Sequence, residues 1–129
     1  MKVFGIGLNR TGTTSLSAAL TILSYDTIHS AKNSYVYSES DGLELLLDEI
    51  EKHDAVVGTP LPYFVEEMSD RYPDAKFILT TRDLDSWSAS AESHYTKKRS
   101  ILRKVLYGPK IDAYVSGVFG NSSYDLGFR

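Results

Sequence analysis

The chain has 129 residues, of which 42% are hydrophobic and 24% charged, and this composition suits one compact domain with a modest core. Its 14 basic and 17 acidic residues give a net charge of -3, so broad attraction to nucleic acid or to an anionic membrane is not expected. The sequence has no cysteine and three histidines, which excludes disulfides, thiolate metal sites and thiol catalysis and predicts no metal cluster.

The opening residues predict a strand followed by a helix. Residues 3–8 are rich in β-branched and aromatic side chains and end in a glycine loop, as a short buried strand does. This run is too short for a signal peptide or a membrane span, so we expect an intracellular, cytoplasmic protein. Apolar residues then recur with helical spacing and predict a helix that begins near residues 12–14: Leu16, Ala19, Leu20 and Leu23.

The middle of the chain alternates between segments without a period and segments with one. Residues 25–41 are rich in Ser, Tyr and Asn, and we predict a loop with at most a short element there. Residues 43–50 and 61–68 have helical apolar spacing, whereas residues 54–59 and 76–81 have the composition of strands. The last of these strands ends at Arg82. Beyond Ser93 we predict a basic helix at residues 97–106 and an apolar stretch at residues 111–119.

Three strands that alternate with helices predict βαβ crossovers. The expected fold is therefore α/β, with a parallel sheet between two helical layers. In such sheets ligands bind beyond the carboxyl ends of the strands. The loop after the first strand and Arg82 after the last both lie at such ends.

The loop after the first strand reads Gly7-Leu8-Asn9-Arg10-Thr11-Gly12-Thr13-Thr14. Since it opens a helix, its backbone N–H groups can converge on a phosphate-like anion. The spacing nearly matches the nucleotide-binding P-loop, but Thr13 stands where that motif has its lysine. Without this lysine the contact to the β- and γ-phosphates is lost, which disfavours triphosphate hydrolysis.

Residues 7–16 resemble the 5′-phosphosulfate loop of the sulfotransferases that use 3′-phosphoadenosine 5′-phosphosulfate (PAPS). The second phosphate motif of that family is an arginine at the end of a strand, followed by a serine eight positions later. Arg82 and Ser90 have this spacing. Residues 54–87 also resemble a soluble branch of the family, and the likeness covers roughly residues 1–95. It implies a fold of the P-loop-containing nucleoside triphosphate hydrolase type.

The resemblance also implies the chemistry: transfer of a sulfuryl group from PAPS, without a metal, to the hydroxyl or amine of an acceptor such as a small molecule. The implied 5′-phosphosulfate contacts are Arg10, Thr11, Gly12, Thr13, Thr14 and Ser15. Arg82 and Ser90 would hold the 3′-phosphate. Arg10 would act electrostatically, since it does not give up a proton, and His29 is our candidate for the general base. Ser15 stands where many members have an adenine-stacking tryptophan, so the adenine contacts are unassigned.

Alternatives stay open at this point. The chain could instead be a P-loop kinase, another nucleotide-binding protein or a catalytically silent binding domain. Residues 7–15 could also form an ordinary capped turn between a strand and a helix. Arg82 could form a surface salt bridge with Asp83 or Asp85, and His29 could be a solvated loop residue. We expect Trp87 in the core and the basic cluster of residues 97–104 on a solvated helix face.

The length of the chain leads to one further expectation about its domain. Sulfotransferases that resemble this chain usually continue well beyond the second phosphate motif. We therefore expect residues 1–129 to form a single sulfotransferase-like domain that lacks the C-terminal part of the family fold. The acceptor and the oligomeric state, including a homo-oligomer, are not determined by the sequence.

Overall fold

The computed structural model describes residues 1–96 except residues 32 and 39, so the predicted basic helix and apolar stretch lie outside the described residues. The strands are β1 (Val3–Gly5), β2 (Thr27–His29), β3 (Tyr35–Ser38), β4 (Gly42–Leu45), β5 (Ala55–Val57) and β6 (Lys76–Ile78). The helices are α1 (Thr13–Ile22), α2 (Leu47–Glu51), α3 (Val65–Arg71) and α4 (Leu84–Thr96), with a 3-10 turn at Leu61–Tyr63.

Four strands form a parallel sheet in the order β2-β5-β1-β6. At its centre Phe4 pairs with Val56 on one side and with Phe77 on the other. β1 and β5 are buried along their whole length, which explains why they are continuous apolar runs without alternation. The predicted strands at the start of the chain, at residues 54–59 and at residues 76–81 are confirmed, each shorter than predicted.

Side chains on the two faces of the sheet form two apolar clusters. Phe4 and Val56 lie on one face with Ile50 of α2 and Met68 of α3, all fully buried. Val3, Ala55 and Val57 lie on the other face with Leu20 of α1. Neighbouring residues in a strand point to opposite faces, so each strand contributes to both clusters. This arrangement confirms the predicted parallel sheet flanked by helices.

The prediction of a loop with at most a short element over residues 25–41 is wrong, because two strands lie there. This segment contains β2, which pairs with β5 through Ile28 and Val56, and the whole of β3. The backbone of β2 is held by its neighbour in the sheet, and no local periodicity in the sequence reports such a partner. The predicted helix over residues 43–50 is wrong in its first half, because Gly42–Leu45 is β4, paired with β3 in a separate two-stranded sheet.

The chain divides into two compact units. The first comprises Met1–Tyr35 and Leu45–Arg82 and contains the four-stranded sheet. The second comprises Val36–Glu44 and the described residues from Asp83 onward, including α4. Asp83 caps α4, because its carboxylate accepts a hydrogen bond of 2.8 Å from the Ser86 N–H. Trp87 on this helix is only partly buried, contrary to its predicted place in the core.

None of the helices in the described part of the chain is both long and apolar enough to cross a membrane.

Candidate anion-binding site

The four parallel strands of the first unit end at one edge of the sheet, here called the carboxyl edge. It consists of the residues that end or follow these strands. They are the loop of residues 6–12 after β1, His29 at the end of β2, Gly58 and Thr59 after β5, and Thr80 and Arg82 after β6. Polar groups that are far apart in the sequence therefore meet here, as in other open parallel sheets.

The loop after β1 turns sharply into α1. Arg10 and Gly12 both have left-handed backbones, with φ of 67° and 90°. Gly12 is the N-cap of α1, and its carbonyl accepts the Leu16 N–H at 3.1 Å. The N–H groups of residues 13–15, which lie between Gly12 and Leu16, have no acceptor within the helix and lie at the positive end of its dipole. This confirms the predicted start of the helix and leaves an N-terminus suited to an anion.

Side-chain hydrogen bonds from each of the three other strands hold this loop and Thr13, the first residue of α1. They join Thr59 Oγ1 to Asn9 Oδ1 (2.8 Å), Thr80 Oγ1 to Thr11 Oγ1 (2.7 Å) and His29 Nε2 to Thr13 Oγ1 (3.0 Å). Because the partners lie at the carboxyl ends of β5, β6 and β2 respectively, the conformation of the loop depends on the assembled sheet. The roles of Asn9, Thr59 and Thr80 were not predicted from the sequence. The signal that points to Thr59 and Thr80 is their place at the ends of predicted strands.

The two predicted arginine motifs meet at this edge. Arg82 Nη1 donates a hydrogen bond of 3.2 Å to the backbone carbonyl of Arg10. Both residues are exposed, so the guanidinium of Arg82 lies beside the loop and faces solvent. A guanidinium has five N–H donors, and one bond to a carbonyl leaves further donors for a ligand.

His29 lies at the end of β2, against the start of α1. Its ring is close to Gly58, where a Cβ atom would lie 3.5 Å from the imidazole and where φ is 82°. Desolvation of the ring lowers the pKa of His29 below its usual value of 6.5. The imidazole is therefore neutral at pH 7, the form that can accept a proton.

The remaining predicted residues differ in their placement. Thr13 is buried, whereas Thr14 and Ser15 are exposed on the first turn of α1. Ser90 is partly buried on α4, in the second unit, eight positions after Arg82. The first unit thus brings together the loop residues, His29 and Arg82. Within the described residues, no group of three or more His, Asp or Glu side chains is arranged to hold a metal ion.

Comparison with known proteins identifies the family. A family model described as a sulfotransferase domain matches residues 2–116. The chain is also 34% identical to the protein named "Ava biosynthesis cluster protein M" from Aspergillus versicolor, over 72% of this chain and 42% of that protein. The chain therefore spans less than half the length of this relative.

Proposed function

Since the chain belongs to the sulfotransferase domain family, we propose that it binds PAPS at the carboxyl edge and transfers the sulfuryl group to a hydroxyl or amine of a small-molecule acceptor. One observation carries the proposal: the open N-terminus of α1 lies beside Arg82, which donates a hydrogen bond to the loop itself. PAPS has anionic groups at both its 5′ and 3′ positions, so it needs two sets of donors at one edge.

The loop would hold the 5′-phosphosulfate. The N–H groups of Thr13, Thr14 and Ser15 lie at the N-terminus of α1, where a helix favours negative charge. Thr14 and Ser15 are exposed and add their hydroxyl groups as donors, and Arg10 supplies a permanent positive charge. During transfer, negative charge develops on the bridging oxygen, and preorganised donors of this kind stabilise it.

Arg82 would hold the 3′-phosphate, and the family resemblance implies Ser90 as a further contact. In the structure Arg82 donates a hydrogen bond of 3.2 Å to a neutral group, the backbone carbonyl of Arg10. A phosphate offers it charge-assisted bonds, which are shorter and roughly twice as strong as neutral ones. Ligand binding would therefore redirect this guanidinium from the Arg10 carbonyl to the nucleotide.

His29 would serve as the general base. In the proposed step the acceptor oxygen or nitrogen attacks sulfur and forms a new bond to it. The bond between sulfur and the bridging oxygen breaks, and its electron pair leaves with adenosine 3′,5′-bisphosphate. The acceptor proton passes to His29. The lowered pKa of His29 keeps the ring neutral and ready for this proton, and Nε2 of the ring lies 3.0 Å from the Thr13 hydroxyl at the start of α1.

A kinase-like function has less support. A P-loop that binds a triphosphate uses a lysine at the position of Thr13, and Thr13 is a buried, uncharged residue bonded to His29. The cations of the site, Arg10 and Arg82, lie instead on the loop and after β6.

Calorimetry with adenosine 3′,5′-bisphosphate, adenosine 5′-monophosphate and ATP with Mg²⁺ tests the proposal. We expect the bisphosphate to bind most tightly, by at least about tenfold, which corresponds to roughly 1.4 kcal/mol. Tighter binding of ATP that requires Mg²⁺ would overturn it in favour of a kinase-like protein. Binding of the bisphosphate without transfer of sulfate to any of a panel of phenols and amines would indicate a silent nucleotide-binding protein.

A further inference from the structure

A chain of hydrogen bonds joins the loop after β1 to the segment after β6. The Thr11 hydroxyl donates to the Leu8 carbonyl at 2.6 Å, and the Thr80 hydroxyl lies 2.7 Å from Thr11 Oγ1. A hydroxyl has one proton, and that of Thr11 is given to Leu8. Thr80 must therefore be the donor in the bond between the two threonines.

The packing around Gly7 fixes the place of Thr80. A Cβ atom on Gly7 would lie 1.8 Å from Thr80 Oγ1 and 2.7 Å from the Thr80 carbonyl oxygen. Only a glycine allows the loop backbone to come this close to the end of β6. Since neither segment can shift without a clash or a gap, the Thr80 hydroxyl is held at Thr11 by the shape of the loop as well as by its bond.

Arg82 makes a second contact to the same part of the loop. It donates to the carbonyl of Arg10, whose backbone is left-handed with φ of 67°. Thr80 and Arg82 thus hold the consecutive loop residues Thr11 and Arg10. A non-glycine residue in this backbone conformation costs free energy and persists only when its surroundings hold it.

We propose that Thr80 is a positioning residue that couples the two phosphate-binding segments, by holding the loop through Thr11 while Arg82, two residues later, binds the other phosphate. The proposal rests on the proposed function for the identity of the ligand, adenosine 3′,5′-bisphosphate. In this role Thr80 acts through Thr11. It acts by keeping the loop in its binding conformation, so that a ligand that engages both segments avoids the cost of ordering them.

Three variants test this proposal. Thr80→Val removes the hydroxyl and keeps the shape, Thr80→Ser keeps the hydroxyl, and Thr21→Val removes a distant hydroxyl that bonds the Ser17 carbonyl at 3.0 Å on α1. We expect Thr80→Val to weaken bisphosphate binding about three- to tenfold, the range for one neutral hydrogen bond, with the other two variants within about twofold of the wild type.

A double-mutant cycle with Arg82→Ala separates coupling from simple destabilisation. We expect the affinity loss of the double variant to be clearly smaller than the product of the two single losses, because Thr80 and Arg82 act together. Losses that multiply, or a Thr80→Val variant that binds as the wild type does, would overturn the proposal while leaving the proposed function intact.

A measurement without ligand keeps the two proposals distinguishable. We expect NMR order parameters of the amides of residues 8–12 to fall in Thr80→Val and to be unchanged in Thr80→Ser and Thr21→Val. Order parameters that are the same in all three variants would refute the positioning role, whether or not the wild type binds the bisphosphate. If the wild type binds no bisphosphate but the order parameters change as expected, only the proposed function fails.

Discussion

The carboxyl edge and the apolar core of the first unit are built in opposite ways. In the core, Phe4, Val56 and Met68 are fully buried and held by packing without any polar partner in their side chains. At the edge, Arg10 and Arg82 are exposed, and the loop between β1 and α1 is held by directional hydrogen bonds. Free energy of unfolding should therefore depend mainly on the core, and ligand affinity mainly on the edge.

The largest expected effect is on the core. Met68→Ala leaves a cavity beneath the sheet and should lower the free energy of unfolding by about 2–5 kcal/mol, as measured by urea denaturation. The matched control Met68→Leu nearly conserves the volume and should cost less than about 1.5 kcal/mol. The comparison between core and edge breaks down if Met68→Ala is neutral in stability, or if the folded variant binds the bisphosphate much more weakly.

The next effect is on the edge. Arg82→Ala should weaken the binding of adenosine 3′,5′-bisphosphate by about 1.5–3 kcal/mol, the range for charge-assisted hydrogen bonds, with little change in the midpoint of urea denaturation. Calorimetry measures the affinity. Arg71→Ala is the control, because it removes the same charge from the end of α3, where Arg71 lies 4.0 Å from Glu51. Equal losses in the two variants would mean that net charge, and not the place of Arg82, sets the affinity.

A substitution at Tyr72 should have a smaller effect and should stabilise the fold. The Tyr72 hydroxyl is buried and has no hydrogen-bond partner among the described residues. The Tyr72 ring packs on the Phe4 ring, with 5.5 Å between the ring centroids. Tyr72→Phe keeps the ring and removes the unpaired oxygen, so it should raise the free energy of unfolding by about 1 kcal/mol. Thermal and urea denaturation measure this gain. A loss of stability would show instead that the hydroxyl is bonded in solution.

The smallest expected effect is on pH dependence. Because desolvation lowers the pKa of His29, the unfolded chain binds a proton at this residue more readily than the folded chain does. The stability from this group is therefore present above the unfolded value of 6.5 and is lost as the pH falls through the lower, folded value. His29→Gln should reduce the loss of stability between about pH 8 and about pH 5.5. An unchanged pH profile would contradict this account of His29.

The sequence was most informative where a segment makes its own structure. β1 and β5 are apolar runs because both of their faces are buried, and β6 adds Phe77 and Ile78 to the two core clusters. Leu16 and Leu20 of α1 have helical spacing and pack on the sheet, so all four elements could be predicted. β2 could not, since its three residues become a strand only by pairing with β5. β4 was mistaken for helix because the apolar spacing of residues 43–50 is shared by a short strand followed by a short helix.

The candidate site shows the same division. The glycine loop, Arg10 and Arg82 are recognisable in the sequence because their spacing and their place after strands are properties of the chain alone. The bonds that hold the loop are not, since Thr80 and Thr11 lie 69 positions apart and Thr59 and Asn9 lie 50 apart. No local pattern reports a partner at such a distance.

Composition and periodicity are local properties, and from them the sequence alone predicted the α/β class. The resemblance of its two motifs pointed to the sulfotransferase family and to the candidate anion-binding residues. Three features depend on tertiary contacts: β2 joins the sheet, His29 contacts Thr13, and Thr80 donates a hydrogen bond to Thr11. The physical reason is that parallel strands end at one edge whatever their separation in the chain, so the neighbours of each polar group there are chosen by the order of the strands.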